Sequence, residues 1–168
     1  MRIAEERFID PFNGPVEIGL RTLAILNDAF PNEYSLQRLV VFDYLLVHSD
    51  DIPEGPIGLH PKTPHRSGEL LVRRKSLRQG LYLLMSRGLV QQRYQPKGVF
   101  FAGTDHTGAF LDTLGSAYVI GLRDRAEWVV STFGPMSDSE LDLLVQENLG
   151  EWGAEFELES VLWLEETV

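Results

Sequence analysis

Four histidines, His48, His60, His65 and His106, stand in a chain without cysteine, so a transition-metal site here would have to be built largely on imidazole. Zinc sites of imidazole alone are uncommon, and no two of these histidines have the HExxH spacing that puts two rings on one helix face. Ring N–H groups that fix loop backbone are the commoner use. His65 to Glu69 gathers a His, an Arg, a Ser and a Glu, the residue types of a nucleophile and its base. The same run suits a helix start, with Ser67 or Gly68 as cap and Glu69 in the first turn. Neither G-x-x-x-x-G-K-S/T nor G-x-G-x-x-G occurs, so nucleotide binding would have to come from a partner. The sequence therefore predicts no catalytic residue, no metal and no cofactor.

Binding chemistry is more strongly marked. Residues 62–98 hold nine of the fifteen Lys and Arg residues, Lys62, Arg66, Arg73, Arg74, Lys75, Arg78, Arg87, Arg93 and Lys97, against one acid, Glu69. A merely solvated face would mix signs, so this run predicts a docking surface for nucleic acid or an acidic protein. The whole chain nevertheless carries −10, and residues 137–168 hold ten carboxylates and no cation. Repulsion from those carboxylates makes any DNA contact local and salt-sensitive. With 43% apolar residues and nine Phe, the composition is that of an ordered globular domain. The absence of Cys fits a reducing interior, and no apolar run approaches the ~20 residues of a membrane span. A cytoplasmic protein that does not engage a membrane is the expectation.

These cations need elements to hold them. Val16 to Phe30 has helical spacing, with Glu17, Arg21 and Asp28 on a narrow polar stripe and apolar residues elsewhere. Ser35 can cap a second helix, Leu36 to Val47, so apolar that Asp43 within it must find a cation, expected from the 66–74 region. Residues 49–68 hold four Pro and three Gly and predict a long loop, docked through Ile57 and Leu59. A third helix, clearest from Arg73 to Arg87, buries Leu77, Leu81 and Leu84 and turns Lys75, Arg78, Gln79 and Tyr82 outward. After Gly88 comes a hairpin with its turn at Gln95-Pro96-Lys97-Gly98. Further helices follow around Asp105 to Leu114, from Ser116 to Phe133, and from Asp138 to Asn148 behind a Ser137–Glu140 capping box. The first of these is short. Val119, Leu122, Ala126, Val129 and Phe133 form the apolar seam of the second, and the tail after Gly150 is amphipathic without a clear period.

The strings Asp43-Tyr44-Leu45-Leu46-Val47-His48-Ser49, Leu59-His60-Pro61, Pro64-His65-Arg66-Ser67-Gly68-Glu69, Val72-Arg73-Arg74, Gly80-Leu81 and Gly88-Leu89-Val90 resemble one family's pattern. It is that of the small middle components of bacterial ABC-three-component systems, conflict systems related to Lamassu. The similarity runs from about Val16 to Phe133. It implies a winged-helix protein without chemistry of its own, which links an SMC- or RecN-like ABC ATPase to an effector in anti-phage or anti-plasmid defence.

Together these readings predict a mainly α protein with a small β-hairpin: a winged helix-turn-helix-like domain with a C-terminal helical extension. Its expected parts are an arm at 1–15, the winged-helix-like domain at 16–103, a helical extension at 104–150 and an acidic tail at 151–168. Arg73, Arg74, Lys75, Arg78, Gln79, Tyr82, Arg87, Arg93 and Lys97 are the candidate nucleic-acid or partner contacts. Trp152, Phe156, Leu158, Leu162 and Trp163 are candidates for docking on a protein. The expected partners are the ATPase and the effector, with double-stranded DNA and a second copy of the chain as further candidates. The alternative function is a stand-alone homodimeric winged-helix transcriptional regulator.

Overall fold

The computed structural model describes residues 13–62 and 68–166, with residues 159–166 as helix backbone only. Helix α1, Pro15–Ala29, opens on a proline whose missing N–H costs nothing in the first turn. A two-residue strand, β1 (Tyr34–Ser35), leads into α2, Leu36–Val47, where Ser35 Oγ accepts the Arg38 N–H at 3.2 Å as the expected cap. Helix α3, Glu69–Ser86, starts behind Gly68, whose φ of 80° suits glycine. Strands β2 (Val90–Gln95) and β3 (Gly98–Gly103) form the hairpin, with Gln95 opposite Gly98 across the turn. Four helices complete the described residues: α4 (Thr107–Asp112), α5 (Ala117–Phe133), α6 (Asp138–Asn148) and α7 (Glu151–Glu166).

The result is a mainly helical protein with one three-stranded antiparallel sheet in the order β1-β3-β2. Strand β1 escaped sequence reading because two residues carry no period. It lies on β3 with Tyr34 opposite Phe101 and so ties the hairpin to the α1–α2 junction. The tail, ambiguous in sequence, is helical.

Helices α1 and α2 form the centre. α1 packs against α2, α3, α5 and β3, and all of α2 except Gln37 is buried. From the α5 seam Leu122, Ala126, Val129 and Phe133 turn inward as part of the same core, and Val119 is buried as well. α1 and α3 meet backbone to backbone: a Cβ added to Gly80 would lie 2.5 Å from the Pro15 carbonyl oxygen and 2.9 Å from Gly19 Cα. Only glycine fits that crossing.

Asp43 finds its cation from α3, as expected, and a second one from α1. Arg73 Nη1 lies 2.8 Å from Asp43 Oδ2, while Arg21 grips the carboxylate with both Nε (2.7 Å) and Nη2 (2.9 Å). Arg21 does not lie on a solvated stripe; it is wholly buried, as is Asp43. Burial by itself would raise the Asp43 pKa, but the charges and hydrogen bonds of Arg21 and Arg73 outweigh it and hold the carboxylate below its ordinary value. The guanidinium of Arg73 also sits 5.7 Å from the Tyr44 ring centroid. One carboxylate on α2 thus pins α1 and α3 together.

The C-terminal helices join the same frame. Arg38 of α2 reaches Asp138 Oδ1 at 2.8 Å and the Met136 carbonyl oxygen at 2.7 Å, fixing the start of α6, where Ser137 and Glu140 form the anticipated capping box. On α7, Trp152 and Phe156 are buried with ring centroids 5.2 and 6.0 Å from that of Tyr44, and Glu155 accepts the Leu70 N–H at the start of α3.

Asp43→Asn leaves two buried guanidiniums facing an uncharged amide, and unfolding in urea should show a loss of about 3–5 kcal/mol. A loss below about 1 kcal/mol would mean that the two arginines find other partners and that the carboxylate is not the pin.

A candidate docking face on helix α3 and the hairpin

The first three turns of α3 sort its cations by depth. Arg73 turns inward to Asp43 and is 3% exposed, Arg74 is half-buried, and Lys75 and Arg78 face solvent together with Gln79 and Tyr82. Arg87 is exposed where the helix ends, and Lys97 is exposed at the hairpin turn. Arg93, half-buried on β2, donates to the Pro31 carbonyl oxygen and to Glu33 Oε2, both at 3.3 Å, and so braces the hairpin against the α1–β1 connection. Among the described residues, Lys75, Arg78, Arg87 and Lys97 make no ion pair. Lys75 and Arg78 are the free cations of the outer α3 face, and Arg87 and Lys97 are exposed separately at the helix end and the hairpin turn.

Apolar side chains share that face. Leu71 (59% exposed), Val72 (63%), Tyr82 (52%) and Leu83 (42%) lie along the outer side of α3. On the hairpin, Tyr94 is exposed opposite Val99. Charge counting did not bring out Leu71, Val72 or Leu83, because in sequence they belong equally well to a buried stripe.

Residues 49–62 do not stand open beside this face. They fold as a strap against α5. Arg125 donates to Ser49 Oγ and to the Ile57 carbonyl oxygen, the latter at 2.5 Å, and the His60 N–H reaches the Val47 carbonyl oxygen at 3.1 Å. The His60 and Tyr118 rings stack, with Nε2 and Oη 2.8 Å apart. Lys62 lies within 3.8 Å of Asp50 and Asp51, and Tyr44 donates to Asp51 at 2.5 Å. Leu59 is half-buried as expected, whereas Ile57 is 86% exposed. Arg21, Tyr118 and Arg125 were missed as organising residues, since their partners lie far away along the chain.

The histidines do not assemble a metal site among the described residues. His48 and His60 have ring centroids 6.4 Å apart, His106 stands exposed before α4, and His65 lies outside the described residues. Burial, aided by nearby Arg73, lowers the His48 pKa; burial, aided by Arg21 and His48, lowers that of His60 from 6.5 to about 4. Of the tail residues, Trp152 and Phe156 are spent in the core, Leu158 is 63% exposed, and the side chains of Leu162 and Trp163 lie outside the described residues. No helix of the described residues is long and apolar enough to cross a membrane.

The strap makes a pH prediction. Folding lowers the His60 pKa, so the folded chain binds fewer protons than the unfolded one; its contribution to stability is complete above 6.5 and is lost as the pH falls toward about 4. His60→Gln should flatten denaturation midpoints measured across that window, leaving the part due to His48. An unchanged slope would remove His60 from the account.

Comparison with known proteins adds one finding. The family model described as ABC-three component (ABC-3C) system Middle Component 2 matches residues 11–155, which reach from before α1 into the first turns of α7. No curated protein and no solved structure gives a significant match. The match takes in both central helices, the Asp43 clamp, the strap and the whole docking face, and the chain belongs to the Middle Component 2 family of ABC-three-component systems.

Proposed function

We propose that this protein is a non-enzymatic adaptor of a bacterial defence complex, which joins an SMC- or RecN-like ABC ATPase to an effector in the cytoplasm. Family membership supports a place in a multi-subunit system, and the division of charge supports two separate contacts. The chemistry on its surface is recognition chemistry: exposed cations without own-chain ion pairs on α3 and the hairpin, and exposed carboxylates on α6 and α7. An adaptor needs no more.

The first half of the chain works as a winged helix in this reading. Helix, short strand, helix, helix and hairpin follow in that order, and the strand order β1-β3-β2 places the first strand beside the last, which supports a wing rather than a free hairpin. Residues 16–103 make this unit, and 104–150 pack on it as an extension. Nucleic acid approaches along the end of α3 and the wing, where Arg87 and Lys97 are exposed and unpaired and Tyr94 offers a ring. The acidic helix α7, with Leu158 exposed, faces a protein subunit.

The observation that carries the proposal is the family match over residues 11–155. Co-expression with the ATPase encoded beside it should give one complex on a sizing column, with no hydrolysis by the isolated chain; clean separation of the two proteins would defeat the adaptor reading. For the nucleic-acid contact, Arg87→Gln with Lys97→Gln should weaken binding to duplex DNA. Each lost phosphate contact should take about 0.9 from the log–log salt slope. Affinity and slope unchanged in that double variant would move nucleic acid off the wing.

A further inference from the structure

The outer side of α3 is a poor phosphate surface along most of its length. Leu71 and Val72 at one end and Tyr82 and Leu83 at the other flank Lys75 and Arg78, so the strip runs apolar, cationic, apolar. Aliphatic side chains offer a phosphate nothing, and their exposure is relieved only by another apolar surface. The two cations in the middle require that surface to carry acid.

The same chain presents such a surface. On α6, Leu143 is 54% exposed, with Asp142 and Glu147 exposed beside it and no cation anywhere on the helix. The 11 residues of α6 span roughly 16 Å, about the distance from Leu71 to Leu83 along α3, so one helix can cover the other at a single crossing. The fold already contains a contact of this kind. Acidic α7 lies against the start of α3 on its inner flank, where Glu155 accepts the Leu70 N–H.

We infer that the strip from Leu71 to Leu83 binds α6 of a second copy of this chain, with Leu143 seated among the apolar residues and Asp142 and Glu147 against Lys75 and Arg78. The contact joins two different surfaces, so it is head-to-tail, and each pair leaves one strip and one α6 open to further copies. Arg87 and the wing lie beyond the strip and remain open to nucleic acid. The inference does not rest on the adaptor reading, and the two fail separately.

Sedimentation equilibrium of the full chain decides it. At low salt the weight-average mass should climb above the monomer with concentration, and it should return to the monomer in about 1 M salt, where the Debye length shrinks to about 3 Å. Lys75→Glu with Arg78→Glu, and separately Asp142→Lys with Glu147→Lys, should each weaken association at least about tenfold with circular dichroism unchanged. Mixing the two double variants should restore it, because each then meets a face of opposite sign. A chain that stays monomeric at low salt overturns the inference, as does a mixture that fails to associate. So does a Lys75→Glu, Arg78→Glu variant that keeps its mass and loses only DNA binding, which would give the strip to nucleic acid.

Discussion

A single carboxylate shared by two guanidiniums lies under everything described. Asp43 on α2 takes Arg21 from α1 and Arg73 from α3, with all three side chains out of water. Removing three ions from solvent is costly, and the cost is offset by the bidentate grip of Arg21, the single Arg73 bond and the Tyr44 ring near the Arg73 guanidinium. Such a clamp adds little net stability compared with an apolar core. It does fix which faces of three helices meet, and in particular it sets the rotation of α3 about its own axis.

That rotation decides the surface. With Arg73 drawn inward, Lys75, Arg78, Gln79 and Tyr82 must point outward, and so must Leu71, Val72 and Leu83. The candidate docking face is therefore the complement of the core contact, not an independent feature. Strap and tail serve the same arrangement from the other side. Tyr44 receives Trp152 and Phe156 from α7 and donates to Asp51 in the strap, so the α2 residue next to Asp43 collects both later elements.

Much of this was legible in the sequence, for local reasons. Ser35, Ser116 and Ser137 announced their helices, since a cap acts within three residues, and the seam from Val119 to Phe133 had a helical period long enough to trust. The demand of Asp43 for a cation was legible too, because a carboxylate in so apolar a helix has few alternatives. Arg21 was not, since an arginine on an amphipathic helix looks like solvent surface until the partner 22 residues away is placed beside it. The closure of the strap depends on Arg125, which meets Ser49 from 76 residues along the chain. Cation clustering pointed to α3, but its free apolar residues emerge only when the helix rotation is known.

The glycine crossing has a mechanical meaning. Where Gly19 and Gly80 bring α1 and α3 into backbone contact, no side chain lies between them to yield by changing rotamer. A Cβ at Gly80 would have to displace the α1 backbone itself, so main-chain contact and not side-chain volume sets the spacing of the two helices.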